Sequence, residues 1–282
     1  MVLTADALMD FAVPQARQTV AARDAILYAL SVGYGRLPTD AWHLQRTYEE
    51  KLVPTPTLAN VVAHAGPWMK AVGVDWAKVV HAEQRLTLHR PMPIATPLMS
   101  RSRMLSVVDR GEGKGMFATF ERVISAEDGG PVATILQTNA CRGDGGCGSA
   151  GTAPEPLPSA PLRGPDRIFE IKVPEDAALL YRLNGDFNPL HVDPEQAAQS
   201  GFARPILHGL CTFGYAGYAI GIGSSADGPV DLQSIAARFT AVVFPGETID
   251  FHLWLDGRDV RFRGLVAARG ATVLDNGVAR LA

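Results

Sequence analysis

Residues 183–194 read LNGDFNPLHVDP, and within that run Asp186 and His191 stand five positions apart. A carboxylate and an imidazole so close in a short segment can converge on one small molecule such as water, one group accepting a proton and the other donating one. Gly185, Pro189 and Pro194 preclude a continuous helix, so the run is expected to be an ordered loop leaving a helix that ends near Leu183. Loops held by a rigid scaffold are where reactive groups gather. The structural alternative is that Asp186 caps a turn, Asn188 before Pro189 is an ordinary turn residue, and His191 is a buried, hydrogen-bonded ring.

A second chemical feature lies at ARPILHGL, residues 203–210, where a helix is expected to start. The first N–H groups of a helix have no partner within it, and its dipole is positive there, so an oxyanion can be held at that end. Gly209 offers its N–H with no side chain in the way. Close packing of helix on sheet would also explain Gly209, and His208 reads as a buried, hydrogen-bonded residue rather than a reactive one.

These groups need a scaffold. With 282 residues, 47% apolar and 20% charged, and a net charge of −3, the chain has material for two medium domains or one large one. That balance argues against a nucleic-acid partner. Cys141, Cys147 and Cys211 are odd in number and lack zinc-like pairing with histidine, so neither a disulfide framework nor a metal site is expected. No basic start followed by an apolar core marks a signal peptide. Residues 206–223 are strongly apolar, but five glycines and His208 make them a core helix rather than a membrane span.

In the stretch 142–165, RGDGGCGSAGTAPEPLPSAPLRGP, glycine, proline, serine and alanine crowd out the aromatic and large aliphatic residues of a core, so it reads as a linker. After it, alternation predicts strands over 166–173, 232–243, 248–255 and 260–267, with a last strand from Ala271, around the helix of 206–223. Before it, the same order recurs more faintly. A helix-like stretch over 57–72, interrupted at Gly66-Pro67, precedes strands near 85–89, 100–109, 115–125 and 131–139. Asp109-Arg110-Gly111 and Asp128-Gly129-Gly130 supply hairpin turns.

With these residues in place, the segment YRLNGDFNPLHVDPEQAAQSGFARPILHGLCTF, residues 181–213, resembles the hydratase signature of the (R)-specific enoyl-CoA hydratases, the hydratase 2 type of MaoC-like dehydratases. The likeness continues in ARFTAVVFPGETI and, more loosely, in YALSVGYG, at 53–60 and in VHAEQRLTLHRPMP from Val80. The resemblance implies an α+β double hotdog. Residues 1–141 would form an N-terminal half, empty of catalytic groups and offering an acyl-chain pocket, and 166–282 a C-terminal half carrying the motif. It also implies that Asp186 and His191 hold and activate a water, that Asn188 helps to position it, and that the N–H of Gly209 binds the thioester oxygen. The reaction would be reversible hydration of a trans-2-enoyl-CoA to a (3R)-3-hydroxyacyl-CoA.

The resemblance also implies His81, Ala82, Arg110 and Phe239 as acyl-CoA contacts; at position 82 the family usually has glycine. Coenzyme A is part of the substrate, and no metal or redox cofactor is required. Fatty, branched and steroid side-chain thioesters all fit. Two rival readings are a hotdog subunit that binds acyl-CoA without turning it over, and a thioesterase that sends water to the carbonyl carbon. The ending Arg280-Leu281-Ala282 is not the peroxisomal tripeptide of many relatives. A cytoplasmic homodimer is therefore expected.

Overall fold

The computed structural model describes residues 3–225 and 228–282. Helix α1 (Ala5–Met9), edge strand β1 (Ala16–Thr19) and helices α2 (Ala22–Ser31) and α3 (Ala41–Thr47) precede the region where a helix over 57–72 was expected. There the chain forms two separate 3₁₀ turns, Pro56–Asn60 and Trp68–Val72. Ala63 and Gly66 between them adopt left-handed backbone, φ 47° and 68°. Pro67 also lacks the N–H a helix would need. The backbone groups so released are taken up by side chains. The buried guanidinium of Arg122 donates to the carbonyls of Val62 and Asn60, and Ser100 Oγ donates to the carbonyl of Ala63. Gln18 Oε1 accepts from the N–H of Ala63 at 2.7 Å.

Four strands complete this half: β2 (Val79–Leu88), β3 (Pro97–Asp109), β4 (Met116–Ala126) and β5 (Pro131–Cys141). The chain then crosses to the second half over residues 142–166, and this connection is fastened along its length. Asp109 accepts from the N–H groups of Gly111, Gly146 and Gly148 at 2.8–2.9 Å, which holds its carboxyl below the usual range. The short strand β6 (Ala150–Gly151) pairs with β3. Arg85 donates to the carbonyl of Glu155 and Asn276 to that of Leu157, whose side chain is buried.

The second half runs β7 (Arg167–Lys172), α4 (Ala177–Tyr181), α5 (Pro194–Gln199), α6 (Gly209–Gly223), β8 (Leu232–Phe239), β9 (Thr248–Asp256), β10 (Asp259–Val266) and β11 (Ala271–Leu281). The main strands form one antiparallel sheet in the order β1-β3-β4-β5-β2-β8-β11-β10-β9-β7. At its centre β2 pairs with β8, setting Leu86 opposite Ile235. Counted outward from that seam, each half repeats one order: the strand after the helical segment, then the fourth, third and second strands, then the strand before it. The fold is a double hotdog.

Helix α6 is apolar on every side and buried along most of its length. A Cβ at Gly214 would lie 2.4 Å from Val32 Cγ1, so glycine there lets α2 approach. The helix begins at Gly209 rather than at 206 because the N–H of Leu207 donates to Val243 at 2.7 Å, sheet fashion. No helix among the described residues is long and apolar enough to cross a membrane.

Candidate active site

The loop between α4 and α5 is built from paired cap and proline residues. Its first 3₁₀ turn, Arg182–Asn184, is stopped by Gly185 in left-handed backbone, φ 107°. Asn188 caps a second turn, Pro189–His191, its side chain accepting from the N–H of Leu190, and Asp193 caps α5 by accepting from Glu195 N at 2.8 Å. In both places proline follows the cap, where its fixed φ suits the first helical position and its missing N–H costs nothing. Asn184 ties the loop to α2 by donating to Ser31 Oγ at 3.0 Å. Asn188 also donates its own N–H to Asp186 Oδ1 at 3.2 Å, so it shapes the loop that carries Asp186.

His191 is 8% exposed, and its Nδ1 lies 2.8 Å from the carbonyl of Ile206. A carbonyl only accepts, so Nδ1 carries the proton and Nε2 keeps its lone pair. Burial pushes its pKa below the ordinary histidine value, only partly offset by the Ile206 bond and the charge of Asp186. The ring of His208 stacks on that of His191 with centroids 3.7 Å apart and planes 26° from parallel. Buried at 1% exposure, His208 has its pKa pushed down to about 4, first by burial and then by His191.

Asp186, His191 and His208 each bring one side-chain atom to within 4.8 Å of the others. Such a group could in principle hold a cation. The two stacked rings, however, lie in nearly parallel planes, and an ion at the about 2.0–2.1 Å of a zinc–imidazole bond cannot sit in both. The arrangement suits sharing a proton or a water better than clamping an ion.

Gly209 is the first residue of α6 and is exposed. Phe239, at the end of β8, packs over it: a Cβ at Gly209 would meet Phe239 Cε1 at 3.3 Å. The ring of His81 in turn lies 4.6 Å from that of Phe239. His81 Nε2 donates to Gln84 Oε1 at 2.9 Å and to the carbonyl of Glu83 at 3.2 Å. Its pKa is pushed to about 4, mainly by burial, against the opposing pull of those bonds and of Asp186. His64, in the break between the two 3₁₀ turns, also feels the charge of Asp186. The N-terminal half therefore brings two imidazoles within electrostatic reach of the loop.

The pairing of β2 with β5 shifts register between His81 and Glu83. Ala82, at that irregularity, lines a separate groove of about 240 Å³ with Arg85, Phe117, Thr119, Leu157 and Arg238. Arg110 is exposed and stands over the ring of Phe117, 5.6 Å from its centroid, at the groove's rim. Thus Asp186, Asn188, His191, Gly209, Phe239 and His81 form one connected set, while Ala82 and Arg110 belong to the neighbouring groove. Nothing in the sequence pattern pointed to Arg85 or Arg238, or to the His208 stack, since each arises only when distant segments meet.

The fold is that of a double hotdog, and the loop carrying Asp186 and His191 lies in its second half. Residues 19–143 match the MFE-2 hydratase 2 N-terminal domain, and 157–276 the MaoC like domain. The 3-hydroxyacyl-thioester dehydratase Y of Mycobacterium tuberculosis is 39% identical over 264 residues, covering 90% of each chain. Enoyl-CoA hydratase 2, peroxisomal, of Arabidopsis thaliana is 32% identical over 288 residues, covering 95% of this chain and 93% of that one. A MaoC-like dehydratase from Phytophthora capsici has a solved structure that matches at a TM-score of 0.85 and 29% identity, covering 98% of both chains. The chain belongs to the MaoC-like, hydratase 2 family.

Proposed function

We propose that this protein is a hydro-lyase that reversibly adds water to a trans-2-enoyl-CoA, giving a (3R)-3-hydroxyacyl-CoA in fatty-acid or related acyl-CoA metabolism. The observation that carries this reading is the convergence of the Asp186 carboxylate and the His191 imidazole on His208, the residue that caps α6 directly before Gly209. The β-carbon of an enoyl thioester is electrophilic because its C=O withdraws electron density. Attack there by water drives negative charge onto the thioester oxygen, and the N–H of Gly209 with the helix dipole stabilises that charge. Asp186 and His191 take a proton from the water as it adds to C3 and return one to C2; as two close titrating groups they act as a pair. Asn188 holds the loop in shape, and its side-chain nitrogen would help to position the water.

His81 and Phe239 would line the path of the thioester, and Ala82 and Arg110 would guide coenzyme A along the adjoining groove, where Arg85 and Arg238 suit its phosphates. The first half, without an Asp/His loop of its own, would receive the acyl chain. The reaction needs no cofactor beyond the coenzyme A of the substrate. Work as a homodimer in the cytoplasm belongs to the same proposal, although the plant relative carries a peroxisomal name.

The test is to supply crotonyl-CoA and a longer trans-2-enoyl-CoA to the protein and to Asp186→Asn. Hydration by the parent, and by the variant only at a rate lowered about 10²–10⁴-fold, supports the proposal. Release of free thiol instead would mark a thioesterase, and acyl-CoA binding without turnover a non-catalytic subunit.

A further inference from the structure

We infer that His208 is a positioning residue that sets both members of the acid/base pair, its edge fixing the main chain at Asp186 and its face fixing the ring of His191. This rests on the hydratase reading of the site. His208 Nε2 lies 3.2 Å from the carbonyl of Asp186, and its ring stacks on His191 at 3.7 Å. The ring of Tyr181 also packs against it, tilted by 47° with centroids 5.0 Å apart. Its own backbone caps α6, so the same residue fixes where the N–H of Gly209 stands.

Asp186 is exposed on a loop, and within that loop its bonded partner is Asn188, itself a loop residue. Among the described hydrogen bonds, the one that ties Asp186 to an element outside the loop is the bond from His208. For His191, the carbonyl of Ile206 fixes one edge of the ring and leaves rotation of its plane to be set by the stack. A flat ring with a donor at its edge is required for both tasks. Phenylalanine would keep only the stack, and glutamine only the donor.

The tautomer follows. The carbonyl of Asp186 accepts, so Nε2 of His208 carries the hydrogen, and Nδ1 is left as a buried atom with no partner. That state holds only while the ring is neutral. The charged and titrating groups facing His208 are His191, Asp186 and Arg182, with the Tyr181 ring packed against it; those facing His191 are His208 and Asp186. An imidazolium in the stack would sit face to face with the base.

The experiment uses the parent, His208→Phe and His208→Gln, each checked for folding by circular dichroism. Imidazole ¹⁵N spectra are followed with pH, and kcat and KM are measured on a trans-2-enoyl-CoA. The parent should show the Nε2–H tautomer at His208 throughout the neutral range. His208→Phe should lose about 100-fold in kcat with KM little changed, as expected for a misplaced carboxylate, while the His191 titration stays where it is. His208→Gln should also lose kcat, and opening the space over His191 should move both its titration and the acid limb of kcat to higher pH.

Retention of kcat within about threefold in His208→Phe, an unmoved His191 titration in His208→Gln, or an Nδ1–H tautomer in the parent each overturns the inference. The tautomer decides the matter even if both variants fail to fold. A parent that hydrates no enoyl-CoA would sink the hydratase reading, while the spectra still report on the stack.

Discussion

Replacing Gly209 with alanine separates stability from catalysis at one atom. Gly209 begins a helix and is not among the left-handed glycines, so alanine fits its backbone without strain. On propensity alone the change would stabilise a helix interior by about 0.5–1 kcal/mol, and somewhat less at its first residue. The new Cβ would stand 3.3 Å from Phe239 Cε1 and 3.4 Å from Cδ1, so the ring must yield by a few tenths of an ångström toward His81. The methyl group also enters the space through which a thioester oxygen must reach the N–H at about 2.7–3.1 Å. Loss of one such donor costs about 10²–10³-fold in kcat, or about 2.7–4 kcal/mol of transition-state stabilisation. Steady-state hydration kinetics beside a thermal melt is the assay. A variant with parental Tm and that loss of activity is expected; one that hydrates enoyl-CoA within about twofold of the parent refutes the oxyanion role of Gly209.

Three further outcomes follow from the same structure. His208 has a folded pKa of about 4 against 6.5 unfolded, so the unfolded chain takes up a proton that the folded one refuses as pH falls between those values. Its share is about 3 kcal/mol of stability, present above pH 6.5 and progressively lost toward pH 4, with His81 acting in the same direction; denaturant titrations of the parent and His208→Gln should converge at low pH. Gly214→Ala would drive a methyl into Val32 and should cost about 1–3 kcal/mol, read as a Tm lower by a few degrees with the reaction's pH profile unchanged. Arg110→Ala should raise KM for acyl-CoA by up to about fivefold with kcat nearly intact, as an exposed charge contact allows, and a matching loss in kcat would place Arg110 closer to the chemistry.

The loop that carries Asp186 and His191 was legible because its signals are local. Gly185, the Asn188-Pro189 pair and the Asp193-Pro194 pair each dictate a stop or a cap, and together they leave little freedom for Asp186 and His191. The strands of the second half were legible for the same reason, since alternation registers one buried face. Helices α2 and α3 went unnoticed: their apolar residues pack against α6 and each other in short, irregular stripes, and Arg46 on α3 is itself buried. The broken helix of the first half was visible in Gly66-Pro67, but not the left-handed Ala63 or the rescue of its neighbours' carbonyls by Arg122. That guanidinium arrives from a strand about sixty residues away. The groove beside Ala82 had no signature either, because it forms where strands of both halves, β2 to β5 with β8 and β11, meet the glycine- and proline-rich connection. That connection looked featureless in composition, yet two of its glycines, Gly146 and Gly148, close their N–H groups on Asp109 beside that of Gly111 from the β3–β4 turn.

Loss of the conjugated enoyl absorbance on mixing the protein with a trans-2-enoyl-CoA, with the product resolved by chirality, tests the central claim most directly. Absorbance should fall to an equilibrium position reached from either side, the product should be the (3R)-3-hydroxyacyl-CoA, and no thiol should be released. Unchanged absorbance with both short and long enoyl chains, or a (3S) product, would contradict the assignment of Asp186, His191 and Gly209 to an (R)-specific hydration.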